Sequence, residues 1–162
     1  MPQKSSAPRR SVLLAELAVT SRRYMASYAL FNQAVADHLG LHPTDLQCLN
    51  LLGLEAGPVT TGRVAELTGL TTGSATRLVD RLERAGYVTR ARDTADRRRV
   101  LVTTVPDRMA EFGAVWERLN GDWVALFDTY GDDEVAFLIA HMRRTVELSA
   151  TQVEKLRDGD TP

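Results

Sequence analysis

Residues 86–103 read Gly86-Tyr-Val-Thr-Arg-Ala-Arg-Asp-Thr-Ala-Asp-Arg-Arg-Arg-Val-Leu-Val-Thr103, and this stretch decides the fold. Two short β-branched runs, at positions 87–92 and 100–103, flank an arginine-rich tip and predict a β-hairpin. A helical pattern leads directly into the first run, so we interpret the hairpin as the wing of a helix-turn-helix. An arginine-tipped hairpin beside an exposed helix is suited to gripping duplex DNA and makes a poor active site.

The helix before the hairpin is predicted to run from Thr72 to Ala85, with Gly86 as its stop signal. One face is small and apolar and should pack against the preceding helices; it carries Ala75, Leu78, Leu82 and Ala85. The exposed front edge is rich in hydroxyl groups and then turns basic, which favours close entry into a groove and contact with phosphate or guanine. The residues of this helix that we expect to contact DNA are Thr71, Thr72, Ser74, Thr76, Arg77 and Arg81.

An acidic residue, Asp80, interrupts the basic stripe of this helix. It lies three residues after Arg77 and four before Arg84, and these spacings allow ordinary surface ion pairs. Such a pair can also aim an arginine at DNA, so the structural and the functional interpretation can hold together.

The hairpin tip carries a second candidate brace. Asp96 lies two residues before Arg98, so in a turn its carboxylate can hold that guanidinium while Arg97 or Arg99 contacts the DNA backbone. An arginine at a protruding tip is the group expected to enter a narrow minor groove. We therefore add Asp96, Arg97 and Arg98 to the predicted DNA-binding residues.

The rest of the chain is mostly helical by its apolar periodicity. A long first helix ends at Gly40, a second starts at Pro43, and a third covers residues 63–68 with Thr61 as its N-cap. Two long helices follow the wing and are separated at Gly131. We expect a mainly α fold with a small β-hairpin wing, in the order two helices, a short strand, two helices, the two wing strands and two long helices.

The long helices carry narrow apolar seams of the kind used between paired helices. We assign residues 11–40 and 105–157 to dimerisation helices and residues 41–104 to a winged helix-turn-helix DNA-binding domain. Residues 1–10 and 158–162 are predicted to be flexible tails. A slender helical extension cannot cover such seams alone, so we expect a homodimer; the alternative is a monomeric helical hairpin.

The net charge of −1 conceals an uneven distribution. Residues 63–99 contain nine arginines and five acidic residues, a net charge of +4, and the remainder carries −5. Every basic residue in that window is arginine, whose planar guanidinium suits phosphate and guanine. A local positive field attracts polyanions even when the whole molecule is near neutral.

The single cysteine, Cys48, fits a reducing compartment. No apolar run approaches the roughly 18 residues that span a bilayer, and the N-terminus lacks a signal sequence, so we expect a cytoplasmic protein without a membrane partner. Cys48 lies among leucines and is interpreted as a small buried residue, with a redox switch as the alternative.

Catalytic chemistry finds little support in the sequence. His38 and His42 have a spacing seen in metal sites, but Gly40 and Pro43 break the helix between them. We interpret His38 as a helix end and His42 as a helix cap, and we expect no metal and no cofactor. No nucleophile elbow or phosphate-binding glycine loop is present, so we expect no enzyme.

Residues 42–105 resemble the winged helix-turn-helix core of the MarR family of transcriptional regulators. The matching strings are Pro43-Thr-Asp-Leu-Gln-Cys-Leu, Val64-Ala-Glu-Leu-Thr-Gly-Leu, Ala75-Thr-Arg-Leu-Val-Asp-Arg-Leu-Glu-Arg-Ala-Gly-Tyr-Val and Asp96-Arg-Arg-Arg-Val-Leu-Val-Thr. The resemblance implies that residues 72–85 form the recognition helix and that Arg98, braced by Asp96, is the minor-groove residue. It also implies a homodimeric repressor on a pseudo-palindromic double-stranded DNA operator, with half-sites about ten base pairs apart.

The resemblance further implies release by a small aromatic or anionic effector, bound between the dimerisation helices and the DNA-binding part. Tyr24, Tyr28, Phe31 and Trp116 are the candidate ligand-binding residues, although an aromatic stripe at helical spacing is more often core. Thiol-based sensors also occur in the family, which keeps Cys48 open as an alternative switch. A winged-helix module that binds protein instead of DNA is the remaining alternative.

Overall fold

The computed structural model describes residues 7–94, 96, 99–157 and 159. In this part of the chain six helices and three short strands follow the predicted order, and the mainly α fold with a small β wing is confirmed. The elements are α1 (Ala7–His38), α2 (Pro43–Leu52), β1 (Val59–Thr60), α3 (Thr61–Thr68), α4 (Thr72–Arg84), β2 (Val88–Arg92), β3 (Val100–Thr104), α5 (Pro106–Phe127) and α6 (Asp132–Arg157).

The sheet has the strand order β1-β3-β2, and both pairings are antiparallel. Val88 pairs with Thr104 and Arg92 with Val100, so the hairpin strands lie within one residue of their predicted ends. β1 adds Val59 opposite Val102. Through β1 the hairpin is therefore connected to α3, which follows β1 directly in the chain.

The helix starts are set by local caps. His42 caps α2, since its ring nitrogen accepts a hydrogen bond from the Thr44 amide, as the sequence predicted. Our N-cap for α3 was one residue late: Thr60 accepts the bond from the Arg63 amide, and Thr61 is already helical. Two adjacent threonines give the same cap signal, and the sequence alone does not separate them.

Two further boundaries differ from prediction. α1 begins at Ala7, so residues 7–10 of the predicted tail are helical. Ala85, which we placed on the packed face of the fourth helix, is an exposed cap beyond its end. The other predicted tail, residues 158–162, and residues 1–6 lie almost wholly outside the described residues.

The chain divides into two compact units, Met1–Met109 and Ala110–Pro162. In the first unit the core lies among α2, α3, α4 and the sheet. Its largest fully buried side chains include Leu46, Leu49, Val64, Leu78, Leu82 and Val102. One face of α4 packs against this core, and the opposite face of the helix lies at the surface. The second unit contains the remainder of α5 and the whole of α6, and no residue of α6 is buried.

Candidate nucleic-acid interface

The packed face of α4 consists of Ala75, Leu78, Val79 and Leu82, all with no exposed surface. Three of these residues match the predicted apolar face, and Val79 extends it. Because this face is fixed to the core, the other side of the helix must point outward. That side carries the exposed residues Thr72, Gly73, Thr76 and Arg77.

The start of α4 is built from hydroxyl groups. Thr71 caps the helix: its Oγ accepts a hydrogen bond from the Ser74 amide at 3.3 Å and its hydroxyl donates to Ser74 Oγ at 3.1 Å. The Thr76 hydroxyl donates to the Thr72 carbonyl at 2.9 Å. A Cβ added at Gly73 would meet nothing within 4 Å. The front of the helix is therefore short, polar and open to a close approach.

Arg77 follows this front edge and is exposed. Its Nη2 donates to Ser74 Oγ at 3.3 Å, and no described carboxylate lies within ion-pair distance of its guanidinium. The hydrogen bond to a hydroxyl is weak and exchangeable with water. Arg77 therefore keeps its charge available for an anionic partner.

Arg81 is held in a different way. Its Nε donates to Asp45 Oδ2 at 2.9 Å and its Nη2 to Asp45 Oδ1 at 2.5 Å. The Asp45 side chain is only 4% exposed, whereas that of Arg81 is 41% exposed. These hydrogen bonds raise the pKa of Arg81 above its ordinary value. The pair ties α4 to α2, so much of the hydrogen-bonding capacity of Arg81 serves the fold.

Sequence reasoning missed Asp45. Asp45 shares a helical face with the buried Leu49 and Leu52, at spacings of four and seven residues. A carboxylate on an apolar stripe needs a cationic or hydrogen-bonding partner when it is buried. That spacing was the signal for a buried ion pair, although it does not identify the partner.

The ion pairs of Asp80 also differ from those we considered. Its carboxylate accepts from Arg90 of β2, Oδ1 to Nη1 at 2.5 Å, whereas Arg84 donates through Nε to the Asp80 backbone carbonyl. Among the described residues, no ion pair joins Asp80 to Arg77 or Arg84. Arg90 thus connects the wing to α4, a role that the i, i+4 rule cannot reveal because it crosses elements.

The wing tip is described only in part. The Asp93 amide donates to the Arg99 carbonyl at 3.0 Å, and the Arg99 amide donates to the Asp96 carbonyl at 2.9 Å. Arg97 and Arg98, the predicted tip contacts, lie outside the described residues. The bracing of Arg98 by Asp96 therefore stays a prediction.

A cavity of about 550 Å³ opens between α1 and α2. Two of the four predicted ligand-binding residues, Tyr24 and Tyr28, line it, and their rings stack with centroids 6.4 Å apart. Phe31 lies further along α1, outside that lining. Trp116 belongs to the second unit, where its ring meets Phe112 edge-on at 6.1 Å.

Cys48 is fully buried, as predicted. Burial, and secondarily the nearby Asp45 carboxylate, raise the pKa of its thiol to about 12. The thiolate is the form that reacts with oxidants, and at neutral pH it is almost absent here. The geometry therefore weighs against Cys48 as a redox switch.

We expect native Cys48 to resist iodoacetamide at pH 8 and to leave DNA affinity unchanged under mild hydrogen peroxide, because the thiol is both inaccessible and protonated. Mass spectrometry should find the adduct only after unfolding in urea. Rapid labelling of the native protein, or peroxide-dependent loss of binding that Cys48→Ala abolishes, would restore the redox alternative.

Membrane-spanning helices and clusters of metal ligands are both absent from the described part of the chain. No helix there is long and apolar enough to cross a membrane. No group of three or more His, Cys, Asp or Glu side chains there is placed to hold a metal ion.

A three-stranded wing packed on a helix-turn-helix, with an outward hydroxyl-rich and cationic helix, defines the winged-helix DNA-binding class. Comparison with known proteins agrees with this class. The model of the MarR family matches residues 39–99. An uncharacterized HTH-type transcriptional regulator of Bacillus subtilis (strain 168), YcgE, is 38% identical over 128 residues, which cover 79% of this chain and 82% of YcgE.

Solved structures give the same fold. A MarR family protein from Bacillus stearothermophilus superposes with a TM-score of 0.66 at 23% identity, covering 90% of this chain and 99% of the other. A MarR transcriptional regulator from Methanosarcina mazei Go1 gives 0.65 at 18% identity, covering 84% and 98%. The chain belongs to the MarR family of transcriptional regulators.

Proposed function

We propose that this protein is a homodimeric, sequence-specific repressor that acts in the cytoplasm on a pseudo-palindromic operator with half-sites about ten base pairs apart. The observation that carries the proposal is the outward face of α4, where an open hydroxyl-rich edge is followed by Arg77 without a described carboxylate partner. In this assignment α4 enters the major groove. Arg98 at the wing tip, braced by Asp96, enters the adjacent minor groove.

The composition of the α4 edge suits groove entry. Thr72 and Thr76 are short, and Gly73 leaves open space in front of the helix. Threonine hydroxyls and methyl groups can contact base edges, and an arginine can bind guanine through two hydrogen bonds. Arg77 lies one turn after Gly73, so it reaches farther along the groove than the hydroxyl groups.

The homodimer is supported by apolar surface that the single chain leaves exposed. Large apolar side chains point to solvent on each of the three long helices, and exposed apolar faces of this kind mark interaction surfaces. They include Leu14, Leu17 and Leu30 on α1, Trp123, Val124 and Phe127 on α5, and Phe137, Met142, Val146, Val153 and Leu156 on α6. A second copy of the chain would cover these apolar faces, and a twofold dimer is the commonest assembly that does so.

An aromatic compound is the kind of effector that best fits the cavity between α1 and α2. The α1–α2 cavity has the stacked rings of Tyr24 and Tyr28 on one wall and the polar side chains of Asn32, Gln47 and Asn50 around it. No lysine or arginine is part of that lining, which favours the aromatic over the anionic choice. Such a ligand releases DNA only if it binds more tightly to the dimer whose recognition helices are too far apart or too close.

Binding assays across a salt titration test this function. We expect the wild-type protein to bind a duplex from the region upstream of its own coding sequence, and to lose at least about tenfold in affinity between about 50 and about 200 mM salt, since phosphate contacts release counterions. Fluorescence anisotropy measures the affinity. Sedimentation should give twice the protomer mass of 17.9 kDa.

Three outcomes would contradict the proposal. Absence of any duplex shift would favour the protein-binding module. Salt-independent binding would remove the phosphate contacts. A 17.9 kDa species that still binds with full affinity would exclude the dimer.

A further inference from the structure

Arg90 makes three contacts with one helix. It lies in the middle of β2, and its Nη1 donates to Asp80 Oδ1 at 2.5 Å and to Glu83 Oε2 at 3.0 Å. Its Nη2 donates to the Thr76 carbonyl at 3.2 Å. Thr76, Asp80 and Glu83 are spaced by four and three residues, so they form one stripe along α4. A single guanidinium from the wing therefore spans two turns of the recognition helix.

The two carboxylates on this stripe stay near the surface. The side chains of Asp80 and Glu83 are 43% and 41% exposed, whereas that of Arg90 is only 24% exposed. Asp80 lies one turn after Arg77, at the edge of the face that we assign to the major groove. Carboxylates at this position would repel the phosphates that flank the groove.

We propose that Arg90 is a positioning residue for DNA binding that acts through Asp80 and Glu83. It draws both carboxylates toward the wing and offsets their charge, so that the outward face of α4 meets DNA as a cationic surface led by Arg77. This inference rests on the proposed function. It differs from that function in assigning to an arginine a role that requires no contact with DNA.

The charges of these side chains support this assignment. With Arg90 in place the three side chains carry a net charge of −1, and Arg84 lies beside them with its Nε on the Asp80 carbonyl. Without Arg90 the same stripe carries −2. The ion pairs are partly solvated and contribute little to stability. Their larger effect is therefore expected on the electrostatic approach of a polyanion.

The test compares Arg90→Met with the double variant Asp80→Asn/Glu83→Gln and with the triple variant that combines them. The probe is the duplex most enriched by the wild-type protein from a random pool, and fluorescence anisotropy measures Kd at about 50 and about 200 mM salt. We expect Arg90→Met to raise Kd about tenfold at the lower salt, and less at the higher. The double and triple variants should both bind within about threefold of the wild type.

Arg92→Met is the matched control, because Arg92 lies two residues further along the same strand and is exposed. If Arg92→Met weakens DNA binding, adding Asp80→Asn/Glu83→Gln to it should not restore the affinity. A triple variant as weak as Arg90→Met would overturn the inference in favour of direct contact between Arg90 and DNA. A loss that is equal at both salts, accompanied by a lower melting temperature, would show a merely structural role and overturn it as well.

One more variant keeps the inference open to refutation if Arg90→Met does not fold. Arg90→Lys retains the charge, and we expect it to bind within about threefold of the wild type; a folded Arg90→Lys protein with a larger loss would contradict charge masking. If the wild-type protein enriches no duplex, the proposed function itself fails. If it enriches a duplex and only the variants depart from this pattern, the role of Arg90 alone fails.

Discussion

We expect Arg77→Ala to weaken binding to the operator by about 1–3 kcal/mol, without a change in the free energy of unfolding. Arg77 is exposed, donates only to the Ser74 hydroxyl and has no described carboxylate within ion-pair distance, so its removal leaves no buried group unsatisfied. The lost energy is that of its contacts with guanine or phosphate. Competition binding with single-base variants of the operator measures both the loss and the base position that becomes tolerant.

Arg63→Ala is a suitable control for this prediction. Arg63 is also an exposed arginine of the helix-turn-helix, but its guanidinium is already engaged by Glu55 at 2.8 Å and by Glu66 at 3.2 Å. We expect its replacement to leave operator affinity within about twofold of the wild type. If both substitutions had equally small effects on operator affinity, Arg77 would not be one of the DNA contacts on the outward face of α4.

The second large effect concerns stability. We expect Arg81→Met to lower the free energy of unfolding by about 3 kcal/mol, because it leaves the buried Asp45 carboxylate without its ion-pair partner. This value is at the lower end of the range for a broken buried pair, because the Arg81 side chain is partly solvated. Urea denaturation followed by circular dichroism measures it.

The double variant Asp45→Leu/Arg81→Met tests whether the unpaired Asp45 carboxylate causes this loss of stability. With the carboxylate gone, we expect stability to return to within about 1 kcal/mol of the wild type. Its operator affinity should also fall less than that of Arg77→Ala, because Nε and Nη2 of Arg81 are already occupied by Asp45. A double variant that is stable but binds as weakly as Arg77→Ala would make Arg81 a primary DNA contact.

The parts of the fold that were predictable depend on local signals. The hairpin follows from two β-branched runs around a polar tip, and the start of α2 follows from a capping residue and a first-turn proline. The outward face of α4 follows from the placement of Ala75, Leu78 and Leu82 on one side. Each of these signals is local in the sequence, so helical and strand periodicity could reveal it.

The parts that escaped prediction depend on contacts between elements. Asp45 and Arg81 are 36 residues apart, and nothing in either local sequence designates the other. Asp80 had two arginines at helical spacing, yet it pairs with Arg90 because the wing folds back against α4. The start of α1 was missed because Pro8 looked like part of a tail, although proline is well tolerated in a first helical turn.

In the proposed dimer two copies of α4, related by a twofold axis, read DNA together. This pairing is tested most directly by selecting bound duplexes from a random pool at about 50 and about 200 mM salt. We predict enrichment of an inverted repeat with half-sites about ten base pairs apart, together with weaker retention at the higher salt. Enrichment of a single unrepeated site, or of no sequence at either salt, would contradict this account.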